Sequence, residues 1–146
     1  MKILLMALLT SVALHEASAA DGQWLTDFAT AKAKAKTENK MILMDFTGSD
    51  WCPPCKALSK NVLSSAEFIE YAKKNLVLME IDFPTGKKQS DALKQANDEL
   101  ARKFSVGGYP TVVVLDSMGK ELTRNSGYDG ETPKEYIAKI EALKKN

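Results

Sequence analysis

Two apolar rhythms alternate along the chain. Trp24, Phe28, Ala31 and Ala35 fall at i, i+4, i+7 and i+11, which predicts a helix with one buried stripe ending near Asn39; the Lys32-Ala33-Lys34-Ala35-Lys36 run is its solvated face. Met41 to Phe46 is apolar throughout except for Asp45, as in a central strand covered on both faces. Leu76 to Ile81 and Thr111 to Leu115 are two more such runs. Asp116 to Gly119 reads as a turn into a more polar strand, Lys120 to Asn125, suited to a sheet edge. Ser64 with Glu67, and Thr132 with Glu135, have capping-box spacing, and Pro133 takes the first helical position. Leu93, Ala96, Leu100 and Phe104 form the stripe of another helix. The order is α-β-α-α-β-α-β-β-α, a single α/β domain without repeats or long linkers.

The first residues follow a different pattern. Met1-Lys2 is a short positive start, Ile3 to Leu14 is mainly apolar, and Ala17-Ser18-Ala19 supplies the small residues of a cleavage site. The apolar run is short of the ~20 residues a spanning helix needs. Residues 1–19 are therefore read as a signal peptide and 20–146 as the folded domain, periplasmic or secreted, with no stable membrane insertion.

Cleavage there removes His15, the only histidine among the 146 residues. Lys2 and Glu16 leave together, so 20 basic and 19 acidic residues become 19 and 18 and the net charge stays at +1. A near-neutral chain is a poor match for nucleic acid or an anionic membrane surface. A chain without imidazole cannot run Ser-His-Asp or Cys-His hydrolysis, and most zinc enzymes are excluded with them.

The candidate chemistry lies in Trp51-Cys52-Pro53-Pro54-Cys55-Lys56. Cysteines three apart can close a small disulfide across one turn if the first stands at a helix N-terminus. Cys55, Leu58 and Val62 fall at i, i+3 and i+7, and prolines suit a first turn, whose N–H groups lack partners in any case. Cys52 would then face the positive end of the helix, which stabilises a thiolate, while Cys55 would sit shielded one turn inward. Half a zinc site and an inert structural bridge are the competing readings. The first lacks further ligands, and the second gains little from closing so short a loop. Redox chemistry is the better reading, with no metal and no cofactor.

In its order of motifs the chain resembles the thioredoxin-like superfamily. The resemblance rests on Leu43-Met44-Asp45-Phe46, the Cys52–Cys55 motif, Val106-Gly107-Gly108-Tyr109-Pro110-Thr111, and Gly127 after the last strand. Within the superfamily the chain is similar to exported domains such as the C-terminal periplasmic domain of the thiol:disulfide interchange protein, a likeness supported by Asn61 to Phe68. The resemblance implies a thioredoxin fold, a central mixed sheet of about four strands flanked by helices. It implies a cis Tyr109–Pro110 peptide facing the cysteines, and a shallow substrate groove lined by Trp51, Gly108, Tyr109, Pro110 and Gly127. Asp45 matches the buried acid that assists proton transfer from the second cysteine. Two departures from the pattern stand out: the link from Phe46 to Trp51 is one residue longer than usual, and Leu78 and Glu80 occupy the positions where a lysine often pairs with that acid. Asp50 reads as a solvated loop acid.

The activity expected is two-step thiol–disulfide exchange by a monomer, with Cys52 as nucleophile, Cys55 as resolver and Asp45 as relay. Its partners would be protein disulfides or dithiols and a membrane or periplasmic thiol electron donor. The resemblance favours a reductase; oxidase or isomerase activity, or a non-catalytic binding module using the same groove (in cytochrome maturation, for example), are the alternatives.

Overall fold

The computed structural model describes residues 23–145; the expected signal peptide, with His15, lies outside them. Side chains alternate along a strand, so β1 (Met41–Thr47), buried along its whole length, must have helices on both faces. Met41 and Leu43 point into one core layer with Leu58, Phe68, Val112, Val114, Tyr136 and Ile140. Ile42, Met44 and Phe46 point into the opposite layer with Ala31, Ala35, Met79, Leu100 and Phe104.

The elements follow the expected order. They are α1 (Phe28–Glu38), β1, α2 (Pro53–Leu58), α3 (Ala66–Asn75), β2 (Leu76–Asp82), α4 (Asp91–Lys103), β3 (Thr111–Leu115), β4 (Glu121–Ser126) and α5 (Pro133–Ala142). A π-helical turn, Ser59–Leu63, prolongs α2 and keeps Cys55, Leu58 and Val62 buried on one side. The sheet runs β2-β1-β3-β4, with β1 parallel to β2 and the other pairs antiparallel. Polar β4 forms one edge, as its sequence requires. No helix among the described residues is long and apolar enough to cross a membrane.

Three local expectations are corrected. Trp24 precedes the first helix rather than joining its stripe: Asp27 caps α1 by accepting the Thr30 N–H at 2.7 Å, and Leu25 instead pairs with β2, donating to Leu78 O and accepting from Glu80 N, both at 2.9 Å. α3 is capped by Ser65, whose hydroxyl accepts from Phe68 N at 3.2 Å, whereas Ser64 closes the π-helical turn. In α4 the buried position is Asn97, not Ala96, which is exposed. The Asn97 amide donates to Asp82 O at 2.9 Å, tying the helix to the end of β2.

Thr132 and Glu135 do form the expected capping box: the Thr132 hydroxyl accepts from Glu135 N at 3.3 Å and the Glu135 carboxylate accepts from Thr132 N at 2.8 Å. Phe68 meets Tyr136 edge-on at 6.3 Å between ring centres, joining α3 to α5. Phe68→Ala is expected to cost about 3–5 kcal/mol and Thr132→Ala about 1 kcal/mol. Urea titrations should show both midpoints falling, Phe68→Ala much further, with unchanged slopes. Equal midpoints would mean that the α3–α5 contact is not a principal support of the fold.

Candidate active site

β1 and β2 run parallel and in register, Met41 beside Leu76 through Thr47 beside Asp82, so both end at the same sheet edge. The segments that follow them, 48–52 and 83–90, therefore meet although far apart in sequence. Cys52 is the last extended residue before α2, with φ −89° and ψ 107°, and Pro53 and Pro54 make the first turn. Cys52 N donates to Gly48 O at 2.9 Å and Lys56 N donates to Cys52 O at 3.1 Å. Cys52 and Cys55 are joined in a disulfide with Cα atoms 5.3 Å apart.

The sequence led us to expect an accessible first sulfur and a shielded second one. In this oxidised form both cysteines are buried alike, each 3% exposed.

The Tyr109–Pro110 peptide is cis, as the resemblance implied. Tyr109 meets the Trp51 indole edge-on at 5.9 Å, which places its loop beside the cysteine segment. Gly127 has φ +89°, a conformation suited to glycine, and its N–H donates to Pro110 O at 2.8 Å. The Thr111 hydroxyl donates to Gly108 O at 2.8 Å, fixing the exposed Gly108 turn. Trp51 is 44% exposed, a surface aromatic rather than a core one. Its ring lies on Gly48, where a Cβ would collide with the indole, so no other residue fits there without moving it. Trp51 and Tyr109 thus meet, and Gly108, Pro110 and Gly127 belong to the same tied loop region.

Asp45 lies on the other side, behind Cys55. Both line a polar cleft of about 410 Å³ that also reaches Glu80. Asp45 is 6% exposed, and its Oδ1 has no hydrogen-bond partner among the described residues. Burial, reinforced by the negative charges of Glu80 and Asp82, pushes its carboxyl up to about 7. Glu80 is raised too, first by burial and then by Asp82, against the pull of Lys87.

Two features of the site went unseen in the sequence. Phe83 stacks on Tyr109 at 5.0 Å, and its carbonyl accepts the Trp51 indole N–H at 2.7 Å, making a three-ring surface. Asp50, expected to be merely solvated, instead accepts Thr85 N at 3.0 Å and Gly86 N at 2.6 Å, and these amides hold its carboxyl below the usual range. Ser49 makes a second tie, donating from N and Oγ to the Asp82 carboxylate at 2.9 and 2.5 Å. The available signal was indirect: an aromatic and a Pro-Thr-Gly turn directly after a strand parallel to β1. Among the described residues, no three His, Cys, Asp or Glu side chains cluster closely enough to hold a metal.

The thioredoxin-like domain family matches residues 28–144. The disulfide bond reductase DsbH of Chlamydia pneumoniae is 35% identical over 128 residues, which are 88% of this chain and 76% of that protein. A solved structure of a DsbH oxidoreductase superposes with a TM-score of 0.78 at 31% identity, covering 97% of this chain and 94% of that one. The thiol:disulfide interchange protein DsbD of Actinobacillus pleuropneumoniae serotype 5b (strain L20) is 29% identical over 89 residues, 61% of this chain but only 14% of that longer protein. These likenesses extend through the sheet and helices that carry the cysteine pair, and the chain belongs to the thioredoxin-like family, as a thiol–disulfide oxidoreductase of the Dsb type.

Proposed function

We propose that the protein is a protein-disulfide reductase that works by two-step exchange on Cys52 and Cys55. The carrying observation is the Cys52–Cys55 disulfide at the start of a helical segment, flanked by the cis Tyr109–Pro110 loop. In the reduced protein Cys52 is the nucleophile. Pro53 and Pro54 have no N–H, so the first amide of the turn open to its thiolate is that of Cys55. The Cys52 thiolate attacks a substrate disulfide, expelling one substrate thiolate and forming a mixed disulfide. Cys55 then gives up its proton and attacks Cys52 Sγ, releasing the second substrate sulfur and closing the internal disulfide. Asp45, on the same cleft as Cys55, accepts that proton.

The substrate groove is the face carrying Trp51, Gly108, Tyr109, Pro110 and Gly127, where an extended peptide can pair with the Tyr109 backbone. The reducing direction is supported by the name of the Chlamydia pneumoniae relative, a disulfide bond reductase. Export through the leader at 1–19 would place the protein among oxidisable substrates, with a membrane or periplasmic thiol returning it to the dithiol form. No bound cofactor is required by this chemistry.

Cys52→Ser should abolish reduction of insulin by the protein with dithiothreitol as donor; activity persisting in that variant would refute the mechanism. Cys55→Ala should instead accumulate mixed disulfides with substrate on non-reducing gels, and their absence would exclude Cys55 as resolver.

The buried acid makes a separate prediction about stability. In the unfolded chain Asp45 loses its proton near the ordinary aspartate value, whereas the folded oxidised protein keeps it up to about pH 7. Between these values the native state binds more protons, so the Asp45 contribution to stability falls as pH rises from about 4 to 7. Asp45→Asn should flatten that decline in denaturant midpoints measured on the oxidised protein. A decline of undiminished slope would show that the carboxyl is not held protonated by the fold.

A further inference from the structure

The cleft behind Cys55 holds two carboxyl groups where the exchange proposed above uses one. Asp45 and Glu80 are directly paired in the parallel ladder of β1 and β2. Strand alternation sends both to the sheet face covered by α2, and both line the cleft with Cys55. Their burial differs. Asp45 is enclosed on the inner strand with Oδ1 unbonded among the described residues, whereas Glu80 is half-buried on β2, the edge strand.

We propose that Glu80 is a positioning residue for the resolving step: the outer carboxyl of a pair, it exchanges protons between Asp45 and the water of the cleft and sets the pH range in which Asp45 can take the proton of Cys55. The inference rests on the exchange mechanism proposed above. Cys55–SH transfers its proton to the Asp45 carboxylate as its sulfur attacks Cys52 Sγ; the Cys52–substrate bond breaks, its electron pair leaves with the substrate thiolate, and the Asp45 proton passes by way of Glu80 to solvent. Two neighbouring carboxyls do not ionise independently, so a charged Glu80 keeps the inner proton in place until higher pH.

Other charges face the pair from every packed element. Asp82 lies two residues beyond Glu80 on β2 and adds to the repulsion. Lys56 and Lys60 line the cleft from α2 and the π-helical turn. Lys87, in the loop after β2, draws the Glu80 value down. Tyr136, from α5, is buried and has its hydroxyl raised first by burial and then by the Asp45 charge. Among these groups Glu80 is the acid paired in register with Asp45 and open to the same cleft.

The test combines carbon-13 NMR titration of the Asp45 carboxyl with stopped-flow reaction of the reduced protein with 5,5′-dithiobis(2-nitrobenzoate). The first equivalent of thionitrobenzoate reports attack by Cys52, and the second reports resolution by Cys55. Glu80→Gln should lower the Asp45 midpoint by about one unit and carry the pH profile of the second phase to lower pH with it, leaving the first phase unmoved. Glu80→Lys should move both further in the same direction. In Asp45→Asn, the midpoint of Glu80 should fall in return, because the coupling is reciprocal. Unmoved midpoints and profiles in variants that still release both equivalents overturn the role of Glu80 and leave the exchange mechanism standing. A wild-type protein that releases only one equivalent overturns that mechanism and this proposal together.

Discussion

The parallel ladder between β1 and β2 is the constraint on which the site is built. It ends two strands at one edge, so the cysteine segment after β1 and the aromatic-bearing segment after β2 must emerge together. Because the strands are in register, it also sets Asp45 opposite Glu80. Most of the ladder is lined by residues such as Leu43, Leu78, Ile42 and Val77, whose burial on both faces stabilises the pairing by about 25 cal/mol for each square ångström removed from water. This apolar frame carries Asp45 into the interior, where its Oδ1 has no hydrogen-bond partner among the described residues, while Glu80 beside it is half-buried and its desolvation is partly offset by Lys87. Their raised proton affinities are a cost the neighbouring packing must absorb.

The disulfide divides the site into two sides with opposite chemistry. One is aromatic and glycine-lined, with Trp51, Tyr109 and Phe83 in mutual contact. It presents apolar ring surface and backbone. The other is a polar cleft behind Cys55 with acids on the sheet wall and lysines on the helix wall. In the proposed mechanism, recognition and proton movement are served by these two different surfaces.

Strong local patterns made much of this legible in advance. Runs covered on both faces located β1, β2 and β3, and the Thr132–Glu135 spacing located the start of α5. The errors came where two local signals competed. Ser64 and Ser65 are adjacent, and the acid three residues after Ser64 drew the reading to the wrong serine, since Ser65 caps without an acidic partner at its third position. Trp24 fits a helical stripe, yet Asp27 begins the helix after it and Leu25 is drawn to the free edge of β2. Asn97 buries a polar side chain on the helical stripe because the carbonyl of Asp82 accepts its amide, a contact no helical period contains. The cysteine pair, the cis peptide and the buried acid followed from the motif resemblance. Asp50 and Phe83 did not, because their partners lie more than twenty positions away and the sheet must be assembled before they meet.

The stretch from Phe46 to Trp51, one residue longer than is usual in thioredoxins, is fully employed. Ser49 and Asp50 within it grip Asp82, Thr85 and Gly86, so the added length spans outward to a neighbouring loop and is fastened there at both ends. The Phe83 carbonyl, which accepts the Trp51 indole N–H, adds a further fastening, so residues 83–90 and the cysteine segment are held as one unit. The disulfide is thereby seated on a splice of two loops rather than on one.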